Sequence, residues 1–264
     1  IMKAAKAPRD LEIKVIGESL FNDGVGVVLF TVFLGVALGG GTFDLALVGE
    51  LFAKEVLGGV LLGLGVGFVS HRALRRVDEP NLEVLITVAA VFGLGFVATR
   101  LHVSAPLAAV VAGLFLGHHG RRDALSERSE ATLDTVWTFV DETLNALLFL
   151  LIGIEVFAID YSHREYLFAA GLLIPLVLVA RFAGVAGPLW LLRRRVRIGR
   201  GAIPVLTWGG LKGGVSIALA MKTPEFPGRN AVLTVTYAIV VFSILVQGLT
   251  VGRLIRRVAV RGDT

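Results

Sequence analysis

Gly17-Glu18-Ser19-Leu20-Phe21-Asn22-Asp23-Gly24 runs directly into an uninterrupted apolar tract over residues 25–38. Two carboxylates, a hydroxyl and a carboxamide therefore sit at the mouth of a segment fit for hydrocarbon. A charge near the centre of a bilayer costs from about 3 to more than 10 kcal/mol, so such residues are rare without a function. On a helix, Glu18, Ser19, Asn22 and Asp23 fall at roughly 0°, 100°, 40° and 140°. They form one polar stripe, with Gly24 and Gly26 beside it where backbones can approach closely. Oxygen-rich, partly anionic and small, the stripe suits a hard monovalent cation or a proton. The alternative is a polar first turn outside the membrane, with Glu18 and Asp23 favoured by the helix dipole.

The rest of the chain has the composition of an all-α polytopic membrane protein. Of its 264 residues 55% are hydrophobic and only 18% charged, and 32 are glycine; mean hydropathy is +0.78. Small residues let membrane helices approach one another. The absence of cysteine excludes disulfides and thiolate metal sites, and no other grouping of residues suggests a transition-metal site. The net charge of +5 sits at the ends of apolar segments, which argues against nucleic acid as a partner. Residue 1 is Ile and no signal peptide precedes the first apolar run, so the chain reads as a piece of a longer one.

Segments of about 20 apolar residues, the length needed to cross a bilayer, are expected at roughly 15–38, 51–71, 82–100, 104–119, 136–158, 166–192, 202–221 and 231–254. The fourth is short, and the sixth is long enough to tilt or to bend at Pro175 or Pro188. Eight crossings put both ends on one side. Of the 26 Lys and Arg residues, 19 then fall on the side of the termini, including Arg72, Arg75 and Arg76 and the run Arg193-Arg194-Arg195. Five fall opposite, and Arg181 and Lys212 lie inside spans. By the positive-inside rule both termini are expected in the cytoplasm, with the protein in the plasma (cell inner) membrane. The longest connection, around residues 120–135, reads as a solvated surface helix, and His118 and His119 as an interfacial pair.

Arg181 stands in the middle of an apolar run, too far from either end to snorkel, so a buried carboxylate partner is expected. Glu18 and Asp23 are preferred, with Asp141, Glu142 and Glu155 at comparable depth. Pairing would hold one carboxylate charged and leave the other to exchange protons; a purely structural ion pair is the alternative.

The seventh segment is peculiar. Gly209, Gly210, Gly213 and Gly214 surround Lys212, with Pro204 just upstream. Each glycine costs a helix roughly 1 kcal/mol relative to alanine. The cluster predicts a discontinuous helix whose unwound backbone lines a polar cavity, as in secondary transporters. Lys212 is then placed to neutralise the negative end of a half-helix. A glycine-rich packing face is the alternative. Other glycine series, such as Gly63-Leu64-Gly65-Val66-Gly67, read as packing surfaces.

These stretches together resemble monovalent cation/proton antiporters, the sodium/proton exchanger family. Gly17 to Val25 is similar to the family's signature membrane helix. Leu148 to Gly153, Ala180 to Val185 and Trp208 to Gly213 follow in the family's order, over essentially the whole chain. The resemblance implies an antiporter fold in which Asp23 binds cation and proton, Asn22 and Ser19 help form the site, and Glu18 pairs with Arg181. An Asn-Asp pair resembles the electroneutral branch, which exchanges one cation for one proton. Relatives are usually homodimers of about thirteen spans and need no cofactor beyond the transported ions. Two departures stand out. Lys212 replaces an arginine common in relatives, and the chain begins just after an upstream unwound helix with a Thr-Asp-Pro motif. The whole of residues 1–264 is thus expected to form a single transmembrane transporter domain, incomplete at its N-terminus.

The function expected is exchange of sodium or lithium, with potassium left open, for protons by alternating access. A channel-like conducting module and an inactive fragment of an antiporter are the competing readings. No Ser/His/Asp or metal-ligand constellation at membrane depth suggests an enzyme.

Overall fold

In hydrocarbon a backbone must satisfy its own hydrogen bonds, so apolar runs of this length fold as helices. The structure, a computed structural model, describes residues 9–38, 45–120, 123–158, 164–191, 202–211, 213–226 and 228–262. The side chains of Glu18, Ser19 and Glu155, among others near helix ends, are outside the described set, as is Lys212 altogether. The helices are α1 (Arg9–Leu38), α2 (Leu45–Leu74), α3 (Pro80–Leu101), α4 (Ala105–Phe115), α5 (Glu127–Ala158), α6 (Arg164–Leu191), α7 (Ala202–Gly209), α8 (Gly214–Met221), α9 (Arg229–Phe242) and α10 (Leu249–Gly262). A π turn at Leu116–Gly120 continues α4, and a second at Ser243–Gly248 joins α9 to α10. No strand occurs among the described residues.

Five of the described helices are long and apolar enough to cross a membrane: Ala46–Leu74, Pro80–Leu101, Glu127–Ile154, Arg164–Leu191 and Arg229–Arg257. The pair Ile203–Gly209 and Gly214–Met221, bent by 41°, makes a sixth if the two count as one span. Asn22–Leu38 and Ala105–Gly120 are apolar but shorter. Phe92, 75% exposed, and Leu61, 68% exposed, point outward, as side chains facing lipid do.

The chain divides into two compact units, one of Leu20–Leu147 and one of Ile1–Ser19 with Leu148–Thr264. In the first, α2 packs along α4 through Gly59, Gly63 and Gly67, spaced four apart on one helix face. A Cβ at Gly63 would lie 2.5 Å from the carbonyl oxygen of Ala108, and one at Gly67 would lie 3.1 Å from Phe115 Cβ. Gly65, on the other side of α2, has nothing within 4 Å. The glycine series therefore does pack, but through alternate members only, because two residues along a helix turn about 200°.

Capping explains where α3 stops. His102 takes the left-handed conformation (φ 54°, ψ 52°), and its N–H donates to the Thr99 carbonyl at 3.4 Å. Such left-handed residues end many helices by bonding back to the last turn. Ser104 then caps α4, its hydroxyl accepting from Leu107 N–H at 3.3 Å. Leu94, Ala108 and Ala112 form the local core, and Trp137 of α5 donates its indole N–H to Thr87 Oγ1 of α3 at 3.1 Å.

In the second unit α6 runs as one helix through both Pro175 and Pro188. It packs on α7 and α9. Val205, Leu206, Val251 and Ile255 join α7 to α10, while Ile217, Tyr237 and Val240 join α8 to α9.

Candidate functional site

The polar stripe of the first helix lies on α1 as a helix over its whole length. Gly24, Val28 and Val32 are buried at four-residue spacing, and a Cβ on Gly24 would lie 3.5 Å from Leu107 Cδ1 of α4. That contact fixes which way the helix faces. Asn22 and Asp23, immediately before Gly24, are both exposed. Glu18 and Ser19 belong to the same helix, but their side chains lie outside the described residues, and with them the expected pairing of Glu18 with Arg181.

The second half of the expected site is built around the end of α7. The chain leaves the helix after Gly209, passes through non-helical Gly210, Leu211 and Gly213, and re-enters one at Gly214. The last turn of a helix presents carbonyls with no donor of its own and carries its partial negative charge. Here two side chains reach them. Arg181 of α6, half-buried, donates from Nη2 to the Leu206 carbonyl at 3.3 Å. Gln247, in the π turn after α9 and only 4% exposed, donates from Nε2 to the Trp208 carbonyl at 3.2 Å.

Close approach makes this possible. The Arg181 guanidinium occupies the space that a side chain on Gly210 would take, and the Leu148 side chain does the same at Gly214. Among the described residues, none lies within 4 Å of a Cβ added at Gly213. The Trp208 indole N–H donates to Thr250 Oγ1 at 2.7 Å, fixing the same turn from α10, while Thr207 Oγ1 is buried with no hydrogen-bond partner among the described residues. Arg181, Gly210 and Gln247 border one small pocket with Ile239 and Phe242.

Residues 1–257 match the family described as sodium/hydrogen exchanger, transmembrane. The chain belongs to the sodium/hydrogen exchanger family. The Na(+)/H(+) antiporter NhaP of Pseudomonas aeruginosa is 44% identical over 265 residues, covering 98% of this chain and 62% of that protein. The Na(+)/H(+) antiporter NhaH of Halobacillus dabanensis is 36% identical, covering 97% of this chain and 64% of its own length. The low-affinity Na(+)/H(+) antiporter NhaS1 of a Synechocystis strain is 34% identical, over 100% of this chain and 51% of that protein. The chain thus spans less than two thirds of the length of these relatives. Exchangers are transporters, so the expectation that the chain is not an enzyme holds, as does that of a multi-pass membrane protein.

Within this exchanger chain the expected residues are distributed as follows. Asn22 and Asp23 belong to the unit of Leu20–Leu147, and Arg181, Gly209, Gly210, Gly213 and Gly214 to the other. Lys212, expected to neutralise the negative end of a half-helix, lies outside the described residues; the donors described at that end are Arg181 and Gln247. Gln247 and Thr250 were missed by sequence reasoning. Their only signal is a carboxamide inside an otherwise apolar run, Val246-Gln247-Gly248-Leu249-Thr250, which a search for charges passes over. A cavity of about 390 Å³ in the first unit, bordered by Leu94, Ala112, Glu130, Asp134 and Trp137, includes none of the expected site residues.

Proposed function

We propose that this chain carries the ion-exchanging part of a secondary active antiporter, which moves sodium or lithium against protons across the cell's inner membrane. The match of residues 1–257 to exchangers, with relatives named Na(+)/H(+) antiporters, carries this reading. Asp23 is the shared carboxylate, with Asn22, Ser19 and Glu18 around it and Arg181 and Lys212 as fixed charges. A proton and a cation compete for Asp23. Either loaded form crosses between inward- and outward-facing states, while the empty carboxylate is held back by the desolvation of a bare charge. Strict competition at one carboxylate makes the exchange one for one and electroneutral, which the neutral Asn22 beside Asp23 supports. The gradients supply the energy, and no cofactor takes part.

The same reading counts Asn22–Leu38 and Ala105–Gly120 as membrane-crossing, and the bent pair α7 and α8 as one discontinuous span. That makes eight crossings, one transmembrane domain over residues 1–264, and both ends in the cytoplasm. A homodimer follows from the family resemblance.

Sodium- or lithium-evoked proton flux in proteoliposomes tests the proposal, with Asp23→Asn as the control. Flux that the substitution abolishes is expected. Equal flux from both proteins removes Asp23 from the mechanism, and current without exchange makes the protein a conducting module. Flux from neither overturns the proposal for this chain.

A further inference from the structure

In an uninterrupted α-helix each carbonyl accepts from the N–H four residues ahead. The Leu206 carbonyl would take the N–H of residue 210, and the Trp208 carbonyl that of residue 212. Arg181 donates to the first of these carbonyls and Gln247 to the second. We infer that Gln247 is a positioning residue whose donor takes the Trp208 carbonyl and so holds the chain out of helix after Gly209.

Four observations converge on Gln247. Its carboxamide is buried, and a buried polar group without a partner is costly, so the bond to Trp208 is obligatory rather than incidental. The partner is a carbonyl oxygen, which assigns the nitrogen of the carboxamide to the contact. The residue sits in a π turn, whose wider i→i+5 bonding rotates the side chains that follow by about 100° relative to a continuous α-helix. Its neighbour Thr250 accepts from the Trp208 indole, so the π turn and the start of α10 grip the same residue by backbone and by side chain.

The bias this creates is specific. Glycines at 210, 213 and 214 lower the tendency of the chain to continue as helix but do not forbid it, since membrane helices tolerate glycine. A donor already seated on the Trp208 carbonyl removes the reward for continuing. Removing that donor leaves the carbonyl to be satisfied by residue 212, and α7 extends. For transport, where the inference rests on the exchange reading, a residue that shapes the break without touching the ion alters the rate of the conformational step, not the affinity for the ion.

Hydrogen–deuterium exchange of the purified chain in detergent tests the structural claim without any need for transport. In the unsubstituted chain the amides of residues 210–213 are expected to exchange at least about 100-fold faster than those of residues 217–219 within α8. Equal protection overturns the inference, and this comparison stands even if a variant does not fold. Gln247→Met, close in volume but without a donor, is expected to slow exchange at the break by about tenfold or more, while Gln247→His, which keeps an N–H, stays near the parent. No slowing in Gln247→Met, or equal slowing in Gln247→His, overturns it. In proteoliposomes Gln247→Met is expected to lower the maximal sodium-evoked flux about tenfold and leave the apparent sodium KM within about twofold. A changed KM at an unchanged maximal rate would make Gln247 an ion ligand and end the positioning role. Absence of flux from the unsubstituted chain would count against the exchange reading alone, and the amide comparison would still decide this one.

Discussion

The guanidinium of Arg181 lies directly against the backbone of Gly210, in the space a side chain there would fill, while its Nη2 bonds the Leu206 carbonyl four residues earlier. Position 210 therefore has to be glycine for Arg181 to reach the end of α7. Gly210→Ala must expel the guanidinium or shift the break. It is expected to lower stability by about 1–3 kcal/mol and sodium-evoked flux by more than about tenfold. Gly213→Ala, where an added Cβ meets nothing within 4 Å, is expected to stay within about 0.5 kcal/mol. Thermal unfolding in detergent and flux assays on the two variants check the contrast; equal effects would remove the steric explanation.

Along α2 the same logic separates two glycines only two residues apart. An alanine at 63 meets the Ala108 carbonyl oxygen at 2.5 Å, backbone that cannot rotate away, whereas one at 65 meets open space. Gly63→Ala is expected to destabilise by about 1–3 kcal/mol by prising α2 from α4, and Gly65→Ala by less than about 0.5 kcal/mol. Melting temperatures of the two variants, measured side by side, decide it.

Glu83, in the first turn of α3, is fully buried, and neither carboxylate oxygen has a hydrogen-bond partner among the described residues. A buried polar group left without partners is a net cost to folding, and replacing such a group by an apolar one of similar size is often neutral or stabilising. Glu83→Met is expected to raise stability by about 1–3 kcal/mol, seen as a higher midpoint of thermal unfolding. A fall of similar size would show that the carboxyl group serves the fold.

The competition proposed at Asp23 gives sodium-evoked flux a definite pH dependence. On that proposal acidification leaves fewer sites for cation, and the apparent sodium KM is expected to rise, by up to about tenfold per pH unit. On the alkaline side the KM levels off. Proton flux measured against sodium concentration over about two pH units reads this directly, and a KM that does not move with pH would separate the cation site from the proton site.

Much of the architecture was legible in the residues because a bilayer leaves few options. Apolar runs as long as that of α3 must be helical there, and their ends carry the arginines and lysines. Four glycines stand where α7 ends and α8 begins, and Asn22-Asp23 beside Gly24 points to the exchanger family from the residues alone. All of these are local signals, written in a dozen residues or fewer. What only the tertiary structure decided are meetings across long stretches of chain. Arg181 bonds the Leu206 carbonyl 25 residues on, and Gln247 bonds the Trp208 carbonyl 39 residues back. Gly63 packs while Gly65 does not, and Gln247, within a π turn, is buried. Periodicity reports which face of a helix is apolar; which partner covers that face, and which side chain completes another helix's last turn, depends on how helices distant in sequence pack together.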